Sequence, residues 1–131
     1  MPLVGYWREV AQITCFGTEV TPERRVEELY FVWGISFESG KDFTGQLSVT
    51  WDTFDDYIDY SGTFVARGYQ NGTLRLQIDS ANYRPTDVDA EGSFEHCNDE
   101  LVLRNLWLGT ARDVSPSLVP MCGHRFKKQL R

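Results

Sequence analysis

The fold is decided between residues 60 and 108, in the segments YSGTFVARG (60–68), NGTLRLQID (71–79), AEGSFEHC (90–97) and NDELVLRNLWL (98–108). Leu74, Leu76 and Ile78 alternate with polar side chains, so they share one side of a pleat. This period of two is typical of a strand with one buried face. Turn-forming residues separate the segments, and Asn71-Gly72 and Asn98-Asp99 predict tight hairpins. The stretch therefore predicts consecutive antiparallel strands.

The same short segments continue over the rest of the chain. Further strands are predicted at 3–14, 29–38, 45–51 and 121–128, and Thr21-Pro22-Glu23 predicts a short helix near residues 21–28. Sequential strands at this spacing predict an all-β, antiparallel up-and-down β-barrel of about eight strands, with a sandwich as the less favoured alternative. Closure removes the exposed sheet edges. A barrel of this size either fills with side chains or holds one small ligand.

Composition and charge narrow the classes of partner. The 131 residues include 13 Lys and Arg against 19 Asp and Glu, and four of the basic side chains lie in the last eight residues, HRFKKQLR. An acidic body repels a phosphate backbone, so we expect no nucleic acid as a partner. No stretch approaches the roughly 20 apolar residues that span a bilayer. We expect no membrane span and a soluble protein, either cytoplasmic or exported with its signal removed, and no feature identifies a protein partner.

The three cysteines, Cys15, Cys97 and Cys122, allow at most one disulfide within the chain. If the barrel closes, its first and last strands become neighbours, which would bring Cys15 and Cys122 within reach of each other. Three reduced thiols are the alternative. Neither the cysteines nor the two histidines have the spacing of a metal site, and the acidic run at 52–59 lacks the Gly and Glu of a calcium loop. No metal and no cofactor are expected.

Gly5-Tyr6-Trp7 stands at the start of the predicted strands and resembles the first-strand motif of lipocalins. Together with the strands that follow and the basic RFKK finish, the chain is similar to the compact lipocalin-like domains of bacteria within the calycin superfamily. The resemblance implies a single lipocalin-like domain over residues 1–131, with Trp7 across the barrel floor and Arg125 over it. It also implies a small hydrophobic molecule as the ligand.

Projecting the alternation places large rings and a few polar groups on one face, which is typical of a small-molecule cavity. The alternative is that the same residues fill a solid core. His96 and Asn105 are the polar members and could orient a ligand head group, or could be hydrogen-bonded for structural reasons. The candidate cavity residues are Trp33, Trp51, Tyr60, Phe64, Phe94, His96, Asn105 and Trp107, with Ile35, Leu47, Leu76 and Leu103 on the same face.

Three functions remain open on the sequence. The leading hypothesis is a lipocalin-like protein that binds or carries a small hydrophobic ligand. The first alternative is a barrel enzyme of the isomerase, cyclase or lyase type, although neither His96 nor His124 has an acid or nucleophile at a recognisable spacing. The second alternative is an interaction module with a filled barrel. No catalytic residue is predicted.

Overall fold

A computed structural model describes residues 3–21, 28–35, 42–52, 57–68, 70–81, 88–108 and 120–129. Within these ranges, only the backbone is described for residues 28, 30, 32–35, 42, 43, 51, 52 and 57–59. The described residues contain nine strands and no helix. The helix predicted near residues 21–28 lies mostly outside the described residues, and Glu28 already belongs to a strand.

All strands belong to one antiparallel sheet. They are β1 (Gly5–Thr14), β2 (Glu19–Val20), β3 (Glu28–Ile35), β4 (Asp42–Asp52), β5 (Tyr57–Arg67), β6 (Asn71–Ala81), β7 (Glu91–Cys97), β8 (Glu100–Arg104) and β9 (Met121–Gln129). From β3 onward each strand pairs with the next in the sequence, while β1 pairs with both β3 and β9. The short β2 is an additional partner of β1. The predicted all-β, up-and-down β-barrel of about eight strands is confirmed.

One of the two predicted hairpin turns is wrong in its position. Cys97 pairs with Glu100 across Asn98-Asp99, as predicted, and Asn98 has a φ of 55°. By contrast, Asn71 and Gly72 already belong to β6, and the turn after β5 begins at Gly68, whose φ is 118°. Gly68 supplies the positive φ that the chain reversal needs, so Asn71 is free to pair in the sheet.

The described apolar side chains that alternate along the strands are buried in the middle of the barrel. Phe31 and Phe64 meet edge to face with ring centroids 4.7 Å apart, and each is only 1% exposed. Offset and edge-to-face contacts of this kind are the arrangement that aromatic quadrupoles favour. The core cluster consists of Leu3, Trp7, Leu29, Phe31, Leu47, Val49, Tyr60, Phe64, Ala66, Leu74, Leu76, Phe94, Leu101, Leu103, Leu106, Leu108 and Phe126.

The pairing of β1 with β9 defines the two ends of the barrel. Tyr6 lies opposite Gln129 at what we call the first end, and Thr14 lies opposite Met121 at the second end. A disulfide joins Cys15 to Cys122 at the second end, where their Cα atoms are 4.8 Å apart. Of the two alternatives for the cysteines, the structure therefore contains the disulfide and not three reduced thiols. Cys97 is a free, exposed thiol.

Candidate functional site

Gly5 and Trp7 form a compact arrangement at the first end. Trp7 is fully buried and donates its indole N–H to the carbonyl of Leu3 at 3.0 Å. Lys128, its direct partner across β1 and β9, holds Nζ 5.7 Å from the centroid of the Trp7 ring. A Cβ on Gly5 would lie 2.9 Å from Cε of Lys128, and Gly5 has a φ of 138°. The first-strand motif thus lets a lysine lie across the tryptophan.

Arg125 does not take the position over Trp7 that the resemblance implies. It alternates with Phe126, whose side chain is in the core, so Arg125 faces outward. There its Nη2 lies 2.6 Å from Oε2 of Glu19, and its Nη1 lies 3.4 Å from Oε1 of Glu100. The hydrogen bond from Arg125 lowers the pKa of Glu19, and the same contact raises the pKa of Arg125. The basic residue at Trp7 is therefore Lys128.

His96 also lies at the first end, against Trp7. The two rings are edge to face with centroids 5.6 Å apart, and His96 is half-buried. Burial lowers the pKa of His96, and the positive charge of Lys128 lowers it further. A proton on His96 is thus disfavoured both by desolvation and by its cationic neighbour.

The other candidate cavity residues divide into three groups. Tyr60, Phe64, Phe94 and Trp107 are each 1% exposed. Leu47, Leu76 and Leu103 are also buried. Trp33, Ile35 and Trp51 lie in β3 and β4, but their side chains are outside the described residues.

Asn105 takes a different position from the one projected for it. It is exposed, has a φ of 55° and follows the last residue of β8, so strand alternation no longer sets the direction of its side chain. It lines an outer hollow of about 280 Å³ beside Arg104 and the Cys15–Cys122 bridge. The structure corrects the projected position, because Asn105 does not join the buried aromatic side chains.

The sequence interpretation missed a buried acid–histidine pair. Oε2 of Glu9 lies 2.5 Å from Nδ1 of His124, and the two side chains are 2% and 0% exposed. Gln12 donates to the other carboxylate oxygen of Glu9 at 3.3 Å. The one available signal was that Glu9 shares a strand face with Trp7, which places an acid among apolar side chains.

The protonation of His124 follows from its partners. The backbone N–H of Leu108 lies 3.0 Å from Nε2 of His124. A backbone N–H can only donate, so Nε2 accepts and the proton of a neutral ring is on Nδ1, directed at Glu9. Both ring nitrogens are engaged in these hydrogen bonds, so this arrangement orients a side chain instead of presenting a base to solvent.

Residues 106–108, which we call the closing segment, lie at the second end. They follow β8 outside any strand, and Leu106, Trp107 and Leu108 are 0–1% exposed. The ring of Trp107 stacks on that of His124 with centroids 4.5 Å apart. The leucines belong to the core cluster.

Groups from distant parts of the chain bind the backbone of the closing segment. Leu106 donates to the carbonyl of Cys122 at 2.9 Å, and Trp107 donates to a carboxylate oxygen of Asp89 at 2.8 Å. The amide of Asp89 donates to the carbonyl of Trp107 at 2.8 Å. The hydroxyl of Tyr60 donates to the carbonyl of Leu108. Since buried backbone groups need such partners, these contacts permit the segment to lie inside without a strand.

Two apolar side chains are partly exposed where they meet the core at the second end. Ile78 belongs to β6 and Val88 precedes β7, and both pack against the core cluster. They provide an apolar rim beside the closing segment. The rim presents part of two apolar side chains to solvent next to the core cluster.

The fold and the interior define an all-β, closed-barrel protein. No protein-family model, no curated protein and no solved structure matches the chain. In the part of the chain that the structure describes, no group of three or more His, Cys, Asp or Glu side chains could hold a metal ion. Within the same part, no helix is long and apolar enough to cross a membrane.

Proposed function

We propose that the protein binds one small apolar molecule at the second end of a lipocalin-like barrel. The observation that carries this proposal is the partial exposure of Ile78 and Val88, which pack against an aromatic-rich interior. Burial of apolar surface drives binding of this kind, at about 25 cal/mol per Å².

Among the described residues, those in the middle of the barrel expose no comparable apolar surface. Trp7, Phe31, Phe64, Phe94 and Phe126 are each at most 1% exposed. A ligand in contact with these rings would have to displace them, and the cost would resemble that of overpacking a core. The rim at the second end is for this reason the better site.

A fluorescent apolar probe tests the proposal. We expect N-phenyl-1-naphthylamine to bind saturably with one site per chain, and an Ile78→Asn variant to weaken that binding about tenfold. Gln77→Asn is the matched control, because Gln77 is the exposed neighbour on the opposite face of β6. Unsaturable binding, or equal affinities for the two variants, would contradict the proposal.

A second candidate function is an interaction module with a filled barrel. The full burial of the described rings in the middle of the barrel favours it. Native mass spectrometry of freshly purified protein separates the two candidates, since a carrier is expected to retain a small molecule while a filled module shows only the mass of the chain.

The exported alternative for the compartment gains support from the disulfide. Bonds such as Cys15–Cys122 persist in oxidising compartments and are rare in the cytosol. We propose that the protein functions in an oxidising compartment. The test labels free thiols with a maleimide before the cells that make the protein are lysed. We expect only Cys97 to be labelled, and labelling of Cys15 and Cys122 as well would contradict the proposal.

A further inference from the structure

The closing segment is held in the way that a bound peptide is held. We propose that residues 106–108 fill a binding subsite at the second end of the barrel, and that this subsite accepts an N-acylated apolar amino-acid derivative in their place. The inference rests on the proposed function, because it adds a polar subsite to the same end of the barrel.

The polar contacts define the ligand class. His124 accepts the N–H of Leu108, and Tyr60 donates to the carbonyl of the same residue. A molecule that makes both contacts needs an N–H and a C=O on either side of one carbon atom. An N-acylated amino acid, or its amide, has this arrangement.

The apolar contacts define the side chains of the ligand. Leu106 and Leu108 are fully buried within the core cluster, so their positions accept branched aliphatic groups. Gly92 adds a shape constraint, because a Cβ at that position would lie 2.5 Å from Cβ of Leu106. The subsite is therefore apolar and closely fitted around its two polar contacts.

Glu9 prepares His124 for this role. Its carboxylate accepts from Nδ1, which leaves Nε2 as the acceptor that faces the ligand position. An acid that fixes the tautomer of a histidine in this way is a common device of binding and metal sites. Glu9 is a positioning residue, since it contacts His124 and not the closing segment in these hydrogen bonds.

Because the closing segment occupies the subsite, we expect it to compete with the ligand. A ligand binds only when the closing segment has left, so the apparent affinity is the intrinsic affinity multiplied by the fraction of open molecules. A variant that loosens the segment without altering the polar subsite should bind more tightly. Leu108→Val removes one methylene from the segment and retains both backbone contacts.

The test measures binding of acetyl-Leu-Trp-Leu-methylamide by calorimetry to the wild type, Leu108→Val and Leu101→Val. Leu101 is an equally buried leucine of the core cluster that lies in β8, outside the segment. We expect Leu108→Val to bind about fivefold more tightly than both other proteins. Equal affinities for the two variants would overturn the inference, because general destabilisation would then explain the binding.

A second measurement needs no variant. In the analogue whose third amide N–H is replaced by an ester oxygen, the group that would donate to His124 is missing. We expect this ester to bind the wild type at least tenfold more weakly than the amide, and equal binding would overturn the inference. If the naphthylamine probe still binds with its Ile78 dependence, only the amide subsite has failed; loss of both overturns the proposed function as well.

Discussion

Replacing Glu9 with alanine tests the importance of the buried acid–histidine pair. The change removes the acceptor of the Nδ1 proton of His124 and leaves the ring otherwise in place. His124 cannot adapt by moving this proton to Nε2, because Nε2 must accept the N–H of Leu108. The Glu9→Ala variant therefore contains a buried donor without this partner.

The size of the effect follows from burial. Glu9 and His124 are 2% and 0% exposed, so bulk water does not reach this contact in the native fold. An unsatisfied buried polar group costs about 1–3 kcal/mol, and breaking a buried pair costs about 3–5 kcal/mol. We expect a loss of about 3 kcal/mol in the free energy of unfolding, which corresponds to roughly 10 °C in the melting temperature of a domain of this size.

Urea unfolding at pH 7 measures the change, and Glu19→Ala is the matched control. Glu19 also pairs with a base, but its side chain is 46% exposed and that of Arg125 is 26% exposed. Exposed pairs contribute at most about 1 kcal/mol. A loss below 1 kcal/mol for Glu9→Ala, or equal losses for both variants, would refute the reasoning from burial.

Three further predictions concern the ends of the barrel. In an NMR titration the pKa of His96 should lie below its ordinary value of 6.5, so its contribution to stability is present above the unfolded pKa and is lost as the pH falls through the folded pKa. Lys128→Gln should raise the pKa of His96, whereas Lys127→Gln should leave it unchanged. A His96 pKa of 6.5 or above would contradict the account. Gly5→Ala should destabilise the fold by about 1–3 kcal/mol, because Gly5 has a φ of 138° that alanine rarely adopts, whereas Cε of the flexible Lys128 side chain can move away from the added Cβ. Gly17→Ala, at a φ of 90° with no atom within 4 Å, is the control and should cost a similar amount in thermal unfolding. A much larger loss for Gly5→Ala than for Gly17→Ala would contradict this account. Reduction of the Cys15–Cys122 disulfide, which spans 107 residues, should lower the free energy of unfolding by about 4–5 kcal/mol in the chain-entropy model. Denaturant unfolding with and without reductant measures this loss, and the Cys97→Ser variant is the control for thiol chemistry. An unchanged unfolding midpoint after reduction would contradict the prediction.

The barrel could be predicted because its signal is local. Period-two alternation in β6 and in its neighbours fixes which side chains are buried, and Tyr60, Phe64 and Phe94 are buried accordingly. Trp107 is buried as well, although it lies in the closing segment and not in a strand. Its burial depends on contacts with Asp89 and His124 that no local pattern contains.

The contents of the candidate site could not be predicted, because they depend on register and on distant pairing. Arg125 and Lys128 are both basic, but a shift by an odd number of residues moves a side chain to the other face of a strand, and only Lys128 lies opposite Trp7. Glu9 and His124 are 115 residues apart and meet through the closure of β1 onto β9. The position of Asn105 differs from the one projected from strand alternation, because β8 ends one residue before Asn105.

The most direct test of the central claim locates the apolar probe on the protein. With ¹³C-labelled protein and unlabelled N-phenyl-1-naphthylamine, isotope-filtered NMR detects only contacts between the two. We predict nuclear Overhauser effects from the naphthyl protons to the methyl groups of Ile78 and Val88. Saturable binding without these contacts, or with contacts only to the outer hollow beside Asn105, would contradict a ligand site at the second end of the barrel.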